Sequence, residues 1–559
     1  MIKRMNKVTS LLVAAAAMVS VVPANAATKL AIKEGTIENA IAFDGGYVFD
    51  GYKNDEDDNA VYFNNGSKDS MLDDIEDVDA LYKYGTKYVV AVDGNDQYMI
   101  DMSNGKVSDD DTAEDLAATI ETKLNSYLRK TDRYENAGNT PVETVNKISK
   151  GFSDVWYEYS ATTVATTTAA VYGYTNQSGK YIDASVTANM YVTVGTSRVK
   201  IDKFGDTEKV GTGSNQKSVT VNLTDAKPLT IADDSNYIYR IVEVEVSVTG
   251  ENPYKAFYLQ KISKAQGDKE KGAYVPKSVE SYLIDAVNGI AYSDNKDVRK
   301  ATDLLNVSVE DGEVTIDSSS IRVVDGSIYV VNWTNSDESE IKVTKLVLKR
   351  NEKIKVTEND KVDYSVVKYS DDVEEDADDY AFDVDGNVWT IYNGKISKSV
   401  KGGDFEVVYT CDRTLDRLDV YNEGNLIAWE HEGEVYTTVQ EGKEAAKDEA
   451  EEIVKPEEVK TGWQSENGAW YLYDATGAKL TGWQNVGGTW YYMDPTTTAM
   501  RTGWLNDNGT WYYLQSSGAM KTGWLNDNGT WYYLNANGSM AANTTVDGYV
   551  LGANGAWIR

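Results

Sequence analysis

The chain contains 559 residues, and its 89 acidic against 55 basic residues give a formal net charge of −34. Such an acidic surface repels nucleic acid and anionic lipid, which argues against either as a partner. A single cysteine, Cys411, cannot form an internal disulfide, and beyond the first 26 residues no run of 18 apolar residues is available to span a membrane.

The first 26 residues have the organisation of a secretory signal peptide. A basic start (Lys3, Arg4 and Lys7) precedes an apolar run at 8–22, and a run of small residues ends at Ala26. We therefore predict secretion, with cleavage after Ala26. The C-terminal sequence has no recognisable sorting motif, so we expect any attachment to the cell surface to be non-covalent.

Residues 27–440 have the pattern of a mainly β region. Short runs rich in Val, Ile, Tyr and Thr alternate with Asp-Gly, Asn-Gly and Glu-Gly pairs, as in β-hairpins. The clearest examples are 87–107, 321–333, 380–396 and 418–439. The last two align with each other, at a spacing that is typical of a β-propeller blade. We predict a β-rich, propeller-like region with a few helices, although two aligned units leave other β architectures open.

A second internal similarity relates 98–110 to 282–294. Each copy is followed by a helix-like segment, and the clearer one is 112–130. In that segment apolar residues recur every four positions and share a face: Leu116, Ile120, Leu124 and Leu128. Two explanations stay open, a true duplication and a chance similarity between common hairpin sequences.

Residues 441–460 carry many mixed charges and almost no large apolar side chains, and Pro456 interrupts any helix there. This composition predicts a linker. The expected organisation is therefore a signal peptide (1–26), one or more acidic β-rich domains (27–440), the linker (441–460) and a distinct C-terminal region (461–559).

The C-terminal region is a tandem repeat with a short, regular period. The sequence "TGWLNDNGTWYYL" occurs at 502–514 and again at 522–534, and looser copies begin at 461 and 481. Eight of the chain's 13 Trp residues fall here as pairs seven apart: Trp463 and Trp470, Trp483 and Trp490, Trp504 and Trp511, Trp524 and Trp531. A Gly-containing turn separates the two members of each pair, which predicts stacked β-hairpins that form a solenoid.

Two roles are open for these rings, a hydrophobic core and a surface cage. The units contain few Val, Ile or Leu residues, so rings retained at one spacing favour a cage. Several ring faces around one pocket suit a quaternary ammonium, because this cation has no N–H group that needs a hydrogen-bond acceptor. Repeated weak sites on one rod would then gain by avidity.

The motif TGWxxxxGxWYYLxxxGxM resembles the choline-binding, or cell-wall-binding, repeat of Gram-positive surface proteins over the region 461–559. The resemblance implies a left-handed hairpin solenoid with choline sites between consecutive hairpins. Each site would use two Trp from one repeat and one Tyr from the next, with a Met nearby. The four sites would be Trp463, Trp470 and Tyr491; Trp483, Trp490 and Tyr512; Trp504, Trp511 and Tyr532; and Trp524, Trp531 and Tyr549; the Met position would be Met500, Met520 and Met540.

The last unit lacks the Trp pair and is expected to be a terminal cap that retains Tyr549. Two departures from the pattern stand out. Leu480 is expected to replace Met in the first repeat, and an extra residue within 494–500 is expected to distort the hairpin that feeds the third site. A related class of repeats binds glucan, and this alternative stays open, although the paired Trp residues favour choline.

No catalytic, metal or cofactor site is predicted. The single histidine, His431, lacks the partners of a triad or zinc site, and Cys411 is expected to be an idle thiol. Acidic clusters at 53–59, 371–379 and 108–111 do not match the EF-hand spacing, so solvated loops are favoured over Ca²⁺ sites. A glycoside hydrolase with a carboxylate pair stays open, because such a pair has no fixed spacing.

We therefore expect a secreted, wall-associated protein that is held non-covalently by choline residues of teichoic or lipoteichoic acid. Its N-terminal region would display a binding surface for a glycan or a protein. The sequence leaves an enzymatic activity uncertain and favours its absence. The alternatives are a wall-active glycoside hydrolase and repeats that bind glucan.

Overall fold

The computed structural model describes residues 27–440 and 462–558, except for 54–58, 67, 76–77, 136–137, 139, 164–169, 287–294, 306, 309–312, 315, 356–358, 467–468, 475–477, 508 and 528. The chain divides into two compact units, Met1–Lys447 and Asp448–Arg559. The predicted signal peptide (1–26) and the predicted linker (441–460) lie outside the described residues.

In the described part of the N-terminal unit, most strands form seven antiparallel groups of four, which we number as sheets in chain order; groups 4 and 5 belong to one ten-stranded sheet. Sheets 1 to 3 consist of Thr36–Phe43, Gly46–Tyr52, Ala60–Asn64 and Ser70–Met71; of Ala80–Tyr84, Tyr88–Asp93, Asp96–Asp101 and Val107–Ser108; and of Val142–Lys147, Trp156–Thr162, Ala170–Asn176 and Tyr181–Asp183. Sheets 4 and 5 consist of Leu229–Asp233, Tyr237–Val248, Tyr254–Ser263 and Val279–Ala286, and of Ile321–Val324, Ser327–Trp333, Glu340–Lys355 and Lys361–Asp376.

Sheets 6 and 7 are each extended by a short strand from the start of the described chain. Sheet 6 consists of Asp379–Phe382, Val388–Tyr392, Lys395–Ser399 and Phe405–Thr410, and Thr28–Lys29 adds a parallel edge strand. Sheet 7 consists of Arg417–Asn422, Asn425–Trp429 and Val435–Gln440, and Lys33–Glu34 supplies its fourth strand. The first and last segments of this unit are therefore hydrogen-bonded to each other.

The remaining strands either extend one of these sheets or form separate hairpins. Thr207–Val210 and Lys217–Leu223 extend sheet 4, and sheets 4 and 5 meet through one parallel pairing, Leu283 with Val366. Separate hairpins are formed by Thr187–Val194 with Ser197–Lys203, by Gln266–Glu270 with Ala273–Pro276, and by Val307–Ser308 with Glu313–Val314. Single 3-10 turns occupy Gly213–Asn215 and Ser318–Ser320.

Two α-helices, Ala113–Leu128 and Lys296–Leu304, occur among the described residues. The first corresponds to the predicted helix at 112–130. Thr112 caps it, and the side chains of Thr112 and Asp115 form a reciprocal capping box. Its face of Ile120, Leu124 and Leu128 is buried against sheets 2 and 3, as the four-residue spacing indicated.

Each sheet shares a buried core with the next sheet in the chain. Residue pairs that represent the six successive cores are Phe43 with Ile100, Tyr84 with Tyr157, Trp156 with Ile262, Leu259 with Ile328, Tyr329 with Val388, and Trp389 with Leu426. A seventh core joins sheet 7 back to sheet 1, where Tyr436 packs in one cluster with Phe49. The order of contacts between the sheets is therefore circular.

A partly buried carboxylate joins three sheets of this series. Asp419 in sheet 7 accepts the backbone N–H of Ala42 in sheet 1 at 2.8 Å, and its other oxygen lies 2.9 Å from the Lys83 ammonium in sheet 2. A partly buried charge of this kind is tolerated when it is paired and hydrogen-bonded. The contact therefore adds a polar connection between the last sheet and the first two.

The two internal similarities in the sequence have different outcomes. The copies at 380–396 and 418–439 are sheets 6 and 7, whose strands align one for one. The copies at 98–110 and 282–294 fall on the third strand of sheet 2 and on the fourth strand of sheet 4. Each copy is followed by a helix, Ala113–Leu128 and Lys296–Leu304 respectively, so duplication and chance similarity both stay open. Residues 287–294 of the second copy lie outside the described residues.

The C-terminal unit is a series of hairpins, as predicted. Four two-stranded hairpins are followed by a three-stranded end: Gly462–Glu466 with Ala469–Tyr473, Gly482–Val486 with Thr489–Met493, Gly503–Asp507 with Thr510–Leu514, Gly523–Asp527 with Thr530–Leu534, and Thr544–Val546, Tyr549–Leu551 and Trp557–Ile558. The buried side chains are mostly aliphatic, among them Leu472, Met493, Leu514, Leu534 and Leu551. Backbone N–H groups of Met500, Met520 and Met540 donate to carbonyls of Trp470, Trp490 and Trp511, which links each hairpin to a neighbouring connector.

Asp379 provides a test of the packing between sheets 6 and 7. Its carboxylate accepts N–H groups of Tyr380 and Leu418, and burial raises its pKa to about 6. Because this pKa lies above the unfolded value of about 3.9, Asp379 contributes a stability that is present below about pH 4 and is lost as the pH rises to about 6. Asp379→Asn removes this dependence.

We expect the free energy of unfolding of the wild type, relative to Asp379→Asn, to fall by roughly 3 kcal/mol between pH 4 and pH 7. Urea denaturation at both pH values measures this difference. The exposed Asp404→Asn serves as the control, with no such change. A difference between wild type and Asp379→Asn that is the same at both pH values would contradict the prediction.

Candidate functional site

The structure brings together the aromatic residues of all four predicted sites. In each site the centroids of the two Trp rings lie 6.3–6.5 Å apart at 77–81°. The Tyr from the following hairpin lies 4.8 Å from the first Trp in three sites, through Tyr491, Tyr512 and Tyr532, and 5.3 Å in the fourth, through Tyr549. Each site is thus a three-ring cage that two consecutive units share.

The strand register explains why one cage needs two hairpins. In the hairpin of residues 503–514, Trp504 lies opposite Tyr513 and Asn506 lies opposite Trp511. Residues that are directly opposite, or two apart on one strand, share a face, so both Trp residues lie on one face of the hairpin. Tyr512 lies on the other face, where it meets Trp483 of the preceding hairpin.

The cage rings are open to solvent and do not form the core. The second Trp of each cage is 41–48% exposed, and Tyr549 is 46% exposed. The first Trp and the Tyr of the other cages are partly buried. Because Leu and Met side chains fill the buried positions of this unit, burial alone does not account for the rings. Their arrangement leaves ring faces available to a ligand.

The three predicted Met residues lie at the junctions between units. Their side chains contact the turn glycine of the following unit, so closely that an added Cβ on Gly518, Gly538 or Gly555 would lie 2.1–2.4 Å from the Met sulfur. These glycines have positive φ angles of 78–83°. Each Met therefore contacts two units: its backbone N–H bonds to a Trp carbonyl of an earlier hairpin, and its side chain contacts the turn glycine of the following unit.

The expectation that Leu480 occupies the Met position was wrong. Isolated bridges pair Leu514 with Met520 and Leu534 with Met540, and the equivalent bridge in the first hairpin pairs Tyr473 with Lys479. The Met position of the first repeat is therefore Lys479. Its ammonium lies 3.7 Å from the ring centroid of Tyr471, which is the Tyr that would complete a cage if another hairpin preceded it.

The connector at 494–500 does not distort the third cage, contrary to expectation. Asp494 accepts the N–H groups of Thr496 and Thr497, and Thr498 adopts a positive φ of 60°. The extra residue is therefore accommodated within a local turn. The Trp504–Trp511 and Trp504–Tyr532 distances of 6.3 and 4.8 Å match those of the other cages.

Three kinds of cage neighbour were missed by the sequence analysis. Tyr492, Tyr513 and Tyr533 lie 5.1–5.2 Å from the first Trp of their own hairpins, and Trp557 lies 5.3 Å from Tyr549. The indole N–H groups of Trp483, Trp504 and Trp524 donate to carboxylates of the next unit, those of Asp507, Asp527 and Asp547. Their nearly constant offset along the chain from the Trp is the sequence signal that reveals the three aspartates.

The N-terminal unit offers weaker candidates. His431 is exposed, and its backbone N–H donates to Asp416. Cys411 is buried, which raises the pKa of its thiol to about 11, so the thiol is protonated and unreactive near neutral pH. Among the described residues no group of three or more His, Cys, Asp or Glu side chains is placed to hold a metal ion. Most of the acidic cluster at 53–59 lies outside the described residues.

One cavity, of about 320 Å³, is lined by two buried carboxylates, Glu158 and Glu243. Lys227 lies 3.2 Å from the first carboxylate, and Lys255 lies 2.7 Å from the second. Each of the two carboxylates in this cavity is thus held in an ion pair with a lysine.

The repeat family is identified by comparison with known families. The family model of the choline-binding repeat matches residues 460–502 and 501–544. The chain belongs to the choline-binding repeat proteins. None of the described helices of this choline-binding repeat protein is long and apolar enough to cross a membrane.

Solved structures with similar sequences include proteins of Streptococcus pneumoniae and of a phage. A choline-binding domain from Streptococcus pneumoniae is 47% identical over 14% of this chain and 96% of its own, with a TM-score of 0.14. A cell-wall endolysin from phage Cp-1, complexed with choline, is 30% identical over 20% of this chain and 30% of its own, with a TM-score of 0.14.

Choline-binding protein F from Streptococcus pneumoniae is 19% identical over 67% of this chain and 100% of its own, with a TM-score of 0.17. These TM-scores are far below 0.5, so the structural similarities support no argument about the fold of the whole chain. No curated protein matches the sequence.

The Met–glycine contact between units leads to a stability prediction. Gly518 and Gly509 both adopt positive φ angles, of 80° and 87°. An added Cβ at Gly518 would meet the Met500 sulfur at 2.1 Å, whereas Gly509 has nothing within 4 Å. Both alanine variants strain the backbone, but only Gly518→Ala also displaces Met500.

We expect Gly518→Ala to destabilise the C-terminal unit by roughly 1–3 kcal/mol more than Gly509→Ala, which is the matched control. Thermal unfolding followed by near-ultraviolet circular dichroism, which reports on the aromatic rings, measures the difference. Equal unfolding temperatures for the two variants would show that the Met500 contact does not stabilise the junction.

Proposed function

We propose that the C-terminal unit binds choline in its four three-ring cages. The observation that carries the proposal is the recurrence of one ring geometry at four junctions, with the second Trp of each cage open to solvent. The site residues are the four Trp pairs and the four Tyr residues, together with Met500, Met520 and Met540, whose backbone N–H groups bond to the second Trp of the first three cages. The match to the choline-binding repeat family supports this assignment.

The chemistry of the cage suits a quaternary ammonium. A cation over an aromatic face gains about 0.5–2 kcal/mol per contact, depending on desolvation. A trimethylammonium group has no N–H donor, so a pocket lined with rings leaves none of its groups unsatisfied. An ammonium with N–H donors would instead need acceptors inside the cage.

Lys479 provides a second observation in support. Its ammonium lies over Tyr471, the ring that corresponds to Tyr491, Tyr512 and Tyr532 in the cages. The chain itself therefore places a cation on this ring in the first of the described hairpins. We infer that the same ring position in the complete cages receives the cation of a ligand.

We propose that the protein is secreted and attached non-covalently to the cell wall. Four weak sites on one solenoid would bind a polymer that carries many choline residues, such as teichoic or lipoteichoic acid, with a gain from avidity. The charged segment 441–460 would separate this anchor from the N-terminal unit. The apolar run at 8–22 supports secretion.

We further propose that the N-terminal unit is a seven-bladed β-propeller that displays a binding surface for a glycan or a protein. The circular order of the seven shared cores supports this architecture, as does the completion of sheet 7 by Lys33–Glu34 from the start of the chain. A wall-active glycoside hydrolase is the alternative. The lysine partners of Glu158 and Glu243 favour the binding role.

The choline assignment predicts a specific elution behaviour. We expect millimolar choline to release the full-length protein from a quaternary-amine resin, and an equal concentration of NaCl to leave it bound. Trp470→Ala, Trp490→Ala, Trp511→Ala and Trp531→Ala should each lower the stoichiometry in calorimetric titration by about one of the four sites. Each substitution removes one ring face from a single cage.

Tyr82→Ala is the control for these variants, because Tyr82 is 56% exposed and lies in the N-terminal unit. Elution by NaCl alone would show that net charge, and not the cages, retains the protein. Elution by soluble glucan but not by choline would instead support the glucan alternative.

The display role of the N-terminal unit predicts no wall hydrolysis. We expect the purified full-length protein to give no clearing zone in zymography on embedded cell walls that retain choline. A known choline-dependent wall hydrolase, run in the same gel, is the positive control. A clearing zone that is lost in Glu158→Gln and Glu243→Gln would establish the hydrolase alternative and locate it at their cavity.

A further inference from the structure

Three of the four cages have an anion hydrogen-bonded to the edge of their first Trp. The indole nitrogens of Trp483, Trp504 and Trp524 lie 3.0, 2.9 and 3.1 Å from carboxylate oxygens of Asp507, Asp527 and Asp547 respectively. In every case the carboxylate belongs to the same following unit that supplies the Tyr of the cage. The contact is therefore a repeated feature of the junction between units.

The first cage differs from the other three at this position. The strand Gly482–Val486 corresponds to Gly503–Asp507 in the next hairpin, so Val486 occupies the place of the aspartate. Valine has no side-chain oxygen to accept the indole N–H of Trp463. The rings of the first cage nevertheless have the same spacing, 6.5 and 4.8 Å. The carboxylate is thus not required to bring the rings together.

We propose that Asp507, Asp527 and Asp547 are specificity-determining positioning residues, which make their cages select a cationic ligand over a neutral one of the same shape. The first cage lacks this element and is the weakest of the four for a cation. This inference rests on the proposed choline function and assigns a role to residues outside the three rings.

The physical basis is a fixed negative charge next to the aromatic face. A hydrogen bond to an ionised carboxylate is stronger than one to a neutral acceptor, so it restrains the plane of the indole ring. The same charge attracts a cation that rests on the ring, and it does not attract a neutral ligand. At a separation of about 6 Å in a partly hydrated site, this attraction corresponds to roughly 3- to 10-fold in affinity.

The strength of this electrostatic attraction differs among the three cages, because the three aspartates differ in their exposure to solvent. Asp507 and Asp527 are partly buried, whereas Asp547 is exposed at the terminal cap. Salt and water screen an exposed charge more than a buried one. The contribution of Asp547 is therefore the smallest of the three, and the contribution at all three cages decreases as the ionic strength rises.

The test compares choline with 3,3-dimethyl-1-butanol, its neutral carbon isostere, by calorimetric titration of the full-length protein. In the variant that combines Asp507→Asn, Asp527→Asn and Asp547→Asn, each side chain retains an oxygen that can accept the indole N–H. We expect choline to bind about 3- to 10-fold more weakly at these three cages, and the isostere to bind as it does to the wild type.

The reverse change provides a gain-of-function arm. In a protein that carries Trp490→Ala, Trp511→Ala and Trp531→Ala, only the first cage is complete. Adding Val486→Asp to this protein should strengthen choline binding by a similar factor and leave binding of the isostere unchanged. Because the ring spacing of the first cage already matches the others, a purely structural role predicts no such selectivity.

The control combines Asp132→Asn, Asp337→Asn and Asp404→Asn, three exposed positions in the N-terminal unit. This variant has the same change in net charge and should bind both ligands normally. Equal losses of choline and isostere in the cage variant, or no loss of either, would overturn the inference while leaving choline binding intact. Wild-type protein that does not bind choline would instead refute the proposed function, and this inference with it.

Discussion

The C-terminal unit depends on one property of a β-hairpin, the opposite orientation of successive side chains. In "WYYL" the Trp and the second Tyr lie on one face, while the first Tyr and the Leu lie on the other. A hairpin therefore presents a Trp pair to the unit that follows and a Tyr to the unit that precedes. Since each cage uses both kinds of face, it exists only at a junction between units, and five units form four cages.

The same alternation gives the side chains that pack in the core and the exposed Trp rings different positions on each strand. Leu514 and Leu534 are buried, while the second Trp of each hairpin remains exposed. The units thus use a few aliphatic side chains and the Met–glycine contacts to pack against each other. The exposed ring faces remain available to a ligand, which fits a unit that is rich in Trp and poor in Val and Ile.

The N-terminal unit obtains its stability in a different way, because each of its small sheets depends on the next for a core. A sheet with apolar faces must bury them against another element, and each sheet of this unit does so by sharing one core with the sheet before it and one with the sheet after it. The circular series of sheets is closed by Lys33–Glu34, a strand near the start of the described chain. It pairs with Val435–Gln440 and so completes sheet 7. Asp419 adds a polar link between the sheets on either side of this closure.

Charge is distributed unevenly between the two units. Residues 461–559 have six acidic and four basic side chains, so nearly all of the excess negative charge lies upstream. Attraction of a cation by bulk charge would not favour the C-terminal unit. We therefore propose that selectivity there comes from local features, the ring faces and the carboxylates that contact the indole edges.

Local patterns determined much of this protein in advance. The period of the Trp pairs, the turn residues and the two-residue alternation were sufficient to predict the hairpins, and the resemblance to the choline-binding repeat supplied the grouping of rings in each cage. The four-residue apolar spacing likewise located the helix at Ala113–Leu128. These features depend on neighbours within one or two turns of chain, so a single sequence contains the information.

Contacts between distant residues needed the tertiary structure. The sequence did not reveal that Lys33–Glu34 pairs with Val435–Gln440, nor which sheets share cores, because such pairings have no fixed spacing. It also misplaced the Met position of the first repeat, where only the bridge between Tyr473 and Lys479 sets the register. The three aspartates recur at a nearly constant offset from their Trp partners, but only the structure showed that they accept hydrogen bonds from them. A hydrogen bond between two hairpins is determined by how they stack, and periodicity within one hairpin does not specify that stacking.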